Sequence, residues 1–443
     1  MNKISHYFST LELIRGLSIA LLASAYIYME YWEIAHPFLV TLFGLLSLYL
    51  LLDSDQKVWF WTGAFIGIFW FWWIVVSFKH YDMLWAIPIA MFFISLLYGI
   101  LFWFIAKIAS IPVGCCVPTT PKKYFSKWCC QGTTPYTSQL LIKALGLLTL
   151  SYIHPFGFDW LKPELMFVNS YLGIEKWQFA LVLGSIALAI WKRQLLYLFF
   201  VLLAYPLPST TSTPVMEHSM ALVTMHTGAE DKWNTTLHEA QFEKIFERID
   251  QAIEAKKSLI VLPESVFPIF LNYEKGLLTK LKKKAKQISI VTGALYWDGK
   301  TPYNSSYIFT DGKTTIANKV LLVPFGESNP LPDFLSDWVN EVFYDGAVDY
   351  KASKNVVDYT VDGVTYRNAI CFEATSEKLY EGRPENMIVL SNNSWFTPSI
   401  EPTLQRLLLQ YYSKKYGTTI YHAVNMSASY SVKKGKVRKV ETP

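Results

Sequence analysis

Charge is scarce in the first part of this chain. Across roughly the first 206 residues Leu, Ile, Phe and Trp dominate, and the interiors of the apolar runs are nearly free of ionisable side chains; Arg15 and Glu12 sit near an end. Transporters place functional ionisable groups inside their spans, so this scarcity argues against transport. A basic stripe is missing too. The net charge is only +5, and the cations are scattered apart from clusters near 282–286 and at the C-terminal end. Nucleic-acid binding finds no support in that pattern. There is no internal repeat, and no low-complexity tract beyond a short linker at 208–214. Cysteine is sparse, and Cys115-Cys116 with Cys129-Cys130 are adjacent pairs rather than the spacing of a zinc site. No metal, nucleotide or other cofactor is expected.

What is present falls into two regimes. A bilayer-crossing helix needs about 20 mostly apolar residues, and the candidate spans are 13–30, 36–52, 58–78, 83–106, 140–157, 176–191 and 194–207. The first is not a cleaved signal peptide, because further spans follow it. Trp59, Trp61, Phe69, Trp70, Phe71, Trp72, Trp73 and Trp85 crowd the third and fourth, as interfacial anchors and lipid contacts do. With Lys3 in the cytoplasm, the loops holding Lys57, Lys107, Lys122, Lys123, Lys127 and Lys192-Arg193 all fall inside, which agrees with the positive-inside rule. The paired cysteines then face a reducing compartment; their juxtamembrane position leaves palmitoylation open, and no specific role is assigned to them. Seven spans place everything after about residue 208 outside, which in a Gram-negative cell is the periplasm.

The second regime has the charge and turn chemistry of a water-exposed domain. Strand candidates are 221–226, 259–263, 288–296, 305–310, 316–323, 365–372, 387–391 and 419–425, alternating with helices near 236–256, 273–287 and 402–416. Such alternation predicts a layered α/β domain. The organisation is therefore a multi-span helical membrane domain, 1–207, and an α/β domain, 208–443.

Three motifs share one form, an apolar strand that delivers a reactive residue at its end. They are Ile260-Val261-Leu262-Pro263-Glu264, then Lys319 with the run to Val323-Pro324-Phe325-Gly326-Glu327, and Ala369-Ile370-Cys371-Phe372-Glu373. Strand ends are where sites form in α/β sheets. A thiolate is a strong nucleophile able to form a thioester, and a free thiol needs a base or a nearby cation to reach that state. Glu264 is the candidate base. Lys319 can stabilise the thiolate and then an oxyanion, with the backbone N–H of Phe372 as a second donor. Singly, a cysteine after a strand is usually a buried small hydrophobe, and a Pro-Glu is usually a turn. The order of all three carries the inference.

That order, Glu, Lys, Cys, resembles the nitrilase superfamily, whose fold is an α-β-β-α sandwich. Together with the membrane half the chain is similar to the apolipoprotein N-acyltransferase family over nearly its whole length. Further shared pieces are Gly157-Phe158-Asp159-Trp160, Lys232-Trp233, Ser391-Asn392-Asn393-Ser394-Trp395-Phe396 and Ala423-Val424-Asn425. The resemblance implies a polytopic α-helical membrane domain plus an extracytoplasmic nitrilase-like sandwich in the bacterial inner membrane. It also implies that Cys371 takes an acyl chain from a phospholipid donor and passes it to a diacylglyceryl apolipoprotein. Glu264, Lys319 and Cys371 would be catalytic. Glu327 and Glu373 would support them, Trp233 would belong to a mobile arm that admits lipid, and Trp395 would lie near substrate or in the core. A monomer is the expected state.

Phe372 departs from the family's common Tyr, and Asn393 from a common Asp. After Glu327 the chain reads Ser-Asn-Pro, and it ends in a basic tail, Lys433-Lys434-Gly435-Lys436, where the family commonly continues with more strands and a membrane helix. Two other readings stand against this one. A membrane-tethered amidase would use water as acceptor, but a tether needs only one span. A non-catalytic polytopic scaffold would have no reason to keep Glu264, Lys319 and Cys371 together.

Overall fold

The computed structural model describes residues 9–111, 136–206, 219–324, 326–328 and 350–440. Cys115, Cys116, Cys129 and Cys130, and the linker at 208–214, lie outside the described residues. Contacts divide the chain into two units. The first is Met1–Ile153 with Leu161–Pro208, and the second is His154–Trp160 with Ser209–Pro443. A single cut at 207 therefore misplaces one short segment: His154–Trp160, between apolar helices in sequence, belongs to the second unit because its rings pack there.

The first unit is helical: α1 (Thr10–Tyr31), α2 (Pro37–Leu52), α3 (Gln56–Phe71), α4 (Ile87–Ala109), α5 (Tyr136–Thr149) and α6 (Lys176–Lys192), with 3-10 segments at Trp72–Tyr81 and Leu195–Ala204. Helical segments thus occur at all the expected spans. Three stretches, Thr10–Tyr31, Gln56–Tyr81 and Leu84–Ala109, are long and apolar enough to cross a bilayer. The fifth stops short of its expected end at 157: the α-helix ends at Thr149, a 3-10 turn runs to Tyr152, and Ile153 is extended (φ −97°, ψ 113°).

Several aromatics expected to face lipid instead fill the helix bundle. Trp59, Trp70, Phe71 and Trp73 are buried, whereas Trp85 is exposed. Each buried indole N–H is satisfied, as an apolar surround requires: Trp59 donates to Leu51 O at 2.8 Å, Trp70 to Ser24 Oγ at 3.0 Å and Trp73 to Trp70 O at 2.9 Å. Gly63 lets α3 and α4 touch, since a Cβ there would stand 2.4 Å from Tyr98 O. Lys143 of α5 is buried, and its ammonium donates to the carbonyls of Leu52 and Ser54 at the end of α2. Lone carbonyls at a helix C-terminus suit a cation.

The second unit has two six-stranded sheets. One holds β1 (Met220–Leu222), β2 (Leu259–Val261), β3 (Phe267–Phe270), β4 (Ser289–Trp297), β5 (Pro302–Thr310) and β6 (Lys313–Asn318). The other holds β7 (Asp358–Val361), β8 (Val364–Ile370), β9 (Asn386–Asn392), β10 (Thr419–Asn425), β11 (Tyr430–Lys433) and β12 (Lys436–Lys439). Strands β1, β2 and β4 are parallel, as are β8, β9 and β10. Period-two alternation gives the sheets their faces. Leu222, Val261, Val291 and Ile308 meet Tyr366, Ile388, Leu390 and Ala423 between the sheets. On the outer face of the first sheet, Ala221, Ile260, Ile290 and Phe309 meet Ile245, Ile249 and Leu281. These last come from α8 (His238–Glu254) and α9 (Lys275–Lys284), which follow α7 (Ala229–Trp233). The remaining helix, α10 (Glu401–Tyr416), covers the second sheet through Leu404, Leu407 and Leu408. The layers are α-β-β-α. The segment read as a basic tail is a hairpin: Lys434 (φ 49°) and Gly435 (φ 75°) turn β11 into β12.

Candidate active site

The three strand ends converge on one cluster of side chains. After β2 comes Pro263, which has no N–H to continue a ladder; the backbone turns, Ser265 takes a positive φ of 48°, and Glu264 is presented at the bend. The neighbouring strand needs a glycine here, because a Cβ on Gly293 would lie 2.3 Å from Ser265 N and 2.7 Å from Glu264 Cα. Lys319 was expected inside a strand running to Val323. Instead β6 ends at Asn318, and Lys319 is the first residue past it. The reason is chemical: the N–H groups of Val320 and Leu321 turn to Glu373 Oε2, at 2.6 and 3.2 Å, instead of a ladder partner. Cys371 is the first residue past β8, in the left-handed region (φ 52°), and a 3-10 turn Cys371–Thr375 follows. A non-glycine residue held there stores strain.

Lys319 is buried with its ammonium 2.7 Å from Glu327 Oε2 and 3.9 Å from Glu264 Oε1. Asn304 of β5 bridges the same two carboxylates, donating to Glu264 Oε1 at 2.7 Å and Glu327 Oε1 at 2.9 Å. Glu327 Oε2 also accepts from Val323 N at 2.9 Å, which closes its own turn. Among the described residues Glu373 makes no ion pair. Its Oε1 accepts from Ile370 N at 2.8 Å while Oε2 holds Val320 and Leu321, so it clasps the Lys319 segment to the Cys371 strand end.

Burial sets the electrostatics. It disfavours the charge on Lys319, but Glu327 and Glu264 outweigh it and hold the ammonium well above the usual lysine range. Burial pushes the Glu264 carboxyl upward; Lys319 opposes this and Glu327 reinforces it. Burial and the Glu264 charge push the Cys371 thiol far up, against Lys319. Glu373 rises to about 7 by burial, with Lys319 and its backbone donors opposing. At rest the sulfur is a thiol beside a carboxylate and a fixed cation. Such a set can move a proton from sulfur to carboxylate and stabilise negative charge on an oxygen bound between Lys319 and a backbone N–H.

Phe372 is buried, stacked on Phe158 (centroids 5.6 Å apart, 10° between planes) and on Trp160 (6.3 Å, 22°); Trp160 Nε1 donates to Thr375 Oγ1 at 2.7 Å. The Gly157–Trp160 motif thus braces the turn that carries Cys371. Trp233 ends α7 with 37% of its surface exposed. Its neighbour Lys232 is buried, donates to the Glu264 carbonyl at 2.8 Å, and is lowered to about 8 by burial, against Glu264 and Cys371. Trp395 is half-buried in the turn after β9. Among the described residues no group of three or more His, Cys, Asp and Glu side chains is placed to hold a metal ion.

Sequence reasoning missed four site residues: Asn304, Lys232 as a site group, Glu401 and Gln405. The signal for Asn304 was its place in the polar run Asn304-Ser305-Ser306 inside a strand buried throughout. Glu401 and Gln405 are polar positions one turn apart on the buried face of α10; in sequence a Glu at a helix start reads as ordinary first-turn chemistry.

Residues 10–208 match the family model described as the apolipoprotein N-acyltransferase integral membrane domain. The apolipoprotein N-acyltransferase of Wolinella succinogenes is 40% identical over 416 residues, 93% of this chain and 93% of that one. That of Helicobacter pylori is 32% identical over 413 residues, 91% and 90% of the two chains. Among solved structures, a CN-hydrolase superfamily protein from Xanthomonas campestris has a TM-score of 0.38 at 13% identity, covering 51% of this chain and 87% of its own. An amidase from Nesterenkonia sp. AN1 has a TM-score of 0.39 at 12% identity, covering 50% and 89%.

Proposed function

The chain belongs to the apolipoprotein N-acyltransferase family, and from that premise we propose that Cys371 takes an acyl chain from a membrane phospholipid and passes it to the N-terminal amine of an S-diacylglyceryl-cysteine apolipoprotein. The first half-reaction begins with the thiol proton moving to Glu264. The sulfur adds to the ester carbonyl, and Lys319 with the Phe372 N–H holds the resulting oxyanion. Collapse expels the lysophospholipid alkoxide, which takes the proton back from Glu264. In the second, the amine adds to the thioester carbonyl and loses a proton to Glu264. The C–S bond breaks, and the thiolate is reprotonated. Neither step calls for a metal or redox cofactor.

Each side chain has a task suited to its surroundings. A carboxyl raised by burial sits nearer the working pH, which improves a general base. Glu327 and Asn304 orient Lys319 and Glu264, and Glu373 fixes the spacing of two strand ends. Lys232 ties Trp233 to the Glu264 turn, which makes α7 the arm that admits lipid. Every named group lies in one chain, so a monomer suffices. The acyl donor lives in the bilayer, and the membrane domain keeps the enzyme there. The lysine distribution favours an inner-membrane protein with its catalytic domain in the periplasm.

The observation that carries this reading is the Glu264–Lys319–Glu327 ion network beside a cysteine in the left-handed region. The test is intact mass of detergent-purified protein after incubation with phospholipid, wild type beside Cys371→Ser. A wild-type acyl adduct that discharges onto a diacylglyceryl lipopeptide, absent from the variant, is expected. Discharge to water alone would instead favour a hydrolase with water as its acceptor.

A further inference from the structure

Glu401 and Gln405 take no part in the mechanism above, yet both are almost fully enclosed, at 2% and 1% exposure. They begin α10 and lie one turn apart, so they share a face of the helix. Gln405 Nε2 points at the nucleophile, 3.9 Å from Cys371 Sγ. Glu401 acts electrostatically on the same thiol, and Glu264 acts on Glu401, so Glu401 also feels the proposed general base. Among the described residues, neither Glu401 Oε2 nor Gln405 Oε1 has a hydrogen-bond partner. Buried polar atoms are nearly always satisfied, and an orphan costs about 1–3 kcal/mol. Two orphaned oxygens beside one thiol call for a visitor that brings N–H donors.

The two substrates of the proposed reaction differ in this respect. The phospholipid's reacting group is an ester, which offers acceptors only. The acceptor's reacting group is an α-ammonium, which offers three N–H donors and a positive charge. It must also lose a proton before its nitrogen can attack.

We propose that Glu401 and Gln405 form the acceptor-amine pocket: their side-chain oxygens receive the N–H groups of the incoming α-ammonium beside the Cys371 thioester, and Glu401 takes the proton that frees the nitrogen to attack. This deepens the acyl-transfer reading and rests on it. Glu401, protonated at rest below about pH 8, releases its proton to water as the cation arrives, and the ammonium then donates one proton to the resulting carboxylate. The neutral amine forms its C–N bond at the thioester carbonyl and gives a second proton to Glu264. The C–S bond then breaks, and that second proton returns to sulfur. Glu401 keeps the proton it took, which restores its resting state when the product leaves. Burial and the nearby Glu264 raise Glu401 to about 8, close to the ordinary α-amine at about 8. Transfer between them is then close to balanced, and the N-terminus of α10 favours the charged carboxylate once a cation has arrived.

The experiment separates the half-reactions in full-length protein, using intact mass to follow acylation by phospholipid and then discharge. Two nucleophiles are compared: a diacylglyceryl-cysteine lipopeptide, and hydroxylamine, a small amine already neutral at pH 7. Glu401→Gln, which also alters the field at Cys371, should slow acylation far less than it slows discharge. It should then discharge onto the lipopeptide about 100-fold more slowly, the low end for a lost proton-transfer group, while hydroxylamine discharge stays unchanged. Gln405→Leu should raise the lipopeptide KM with little change in kcat, a split that general loosening of the fold would not give. Wild-type lipopeptide discharge in both variants, or equal slowing with both nucleophiles, overturns the pocket. A wild-type protein that never acylates overturns the underlying reading instead.

Discussion

Two buried carboxyls, Glu373 and Glu401, show what a polar group is for. Glu373 accepts three backbone N–H groups, from Val320, Leu321 and Ile370. Glu401 leaves Oε2 without a partner among the described residues. Burial raises both, to about 7 and about 8. The satisfied one spends its oxygens on holding two strand ends in register, which is a structural task. The unsatisfied one tolerates a standing penalty, and such penalties persist where a ligand relieves them. The same substitution, Glu to Gln, should therefore act in opposite directions at the two sites.

The largest effect is expected at Glu373→Gln. One accepting oxygen becomes an NH2 that faces a backbone N–H, so a buried donor loses its partner and meets another donor. The cost should be roughly 2–4 kcal/mol, read as a lower Tm in detergent. The deficit should be most marked near pH 4.5 and shrink as pH rises towards about 7, because the raised Glu373 carboxyl costs the wild type stability over that range. Both half-reactions should slow together, because the spacing between Lys319 and Cys371 is lost for both. Unequal slowing would assign Glu373 a direct part in one step.

Glu401→Gln should do the reverse and stabilise the protein, increasingly so with pH. In the folded chain Glu401 keeps its proton up to about pH 8, whereas the unfolded chain loses it near the ordinary 4.5. Between those values the folded state binds more protons than the unfolded, so the wild type loses stability as pH rises. Glutamine has no such loss. The Tm advantage of the variant should be near zero at pH 4.5, grow through neutrality and level off above about pH 8, reaching on the order of 2–4 kcal/mol. A pH-independent difference would mean that Glu401 is ionised throughout and has a partner.

The contrast between these carboxyls also marks the limit of what the sequence shows. Glu264, Lys319 and Cys371 were legible because each sits where an apolar strand breaks off, and a reactive residue at such a point stands out against its neighbours. The layered α/β architecture was legible for the same reason, through the β-branched runs of β2, β4, β8 and β10. Strand ends were less so: Glu373's carboxylate stops β6 at Asn318, a contact between residues 53 apart in sequence. The hairpin β11–β12 was hidden because its lysines look like solvated charge. Trp59 and Trp70 looked like lipid anchors, since an indole that packs between helices and one that faces lipid have the same sequence signature. Glu401 was invisible because a helix's first turn welcomes a Glu for local reasons, whatever it faces.

The smallest effect is expected at Phe372→Leu, between Cys371, the proposed nucleophile, and the clasping Glu373 carboxyl. Leucine keeps an apolar side chain in the same pocket but gives up the stacking on Phe158 and Trp160. Aromatic pairs are worth about 0.5–1.5 kcal/mol beyond area burial, so Tm should fall slightly. The backbone N–H proposed to meet the oxyanion is untouched by the change of side chain, and the Glu373 clasp lies one residue further on. Acyl-enzyme formation followed by intact mass should therefore stay within about threefold of wild type, the rate equivalent of less than 1 kcal/mol. Loss of acylation by a hundredfold or more would mean that the ring does more than brace the turn. Phe372 would then itself contact the acyl chain, and Phe158 and Trp160 would be the next residues to exchange.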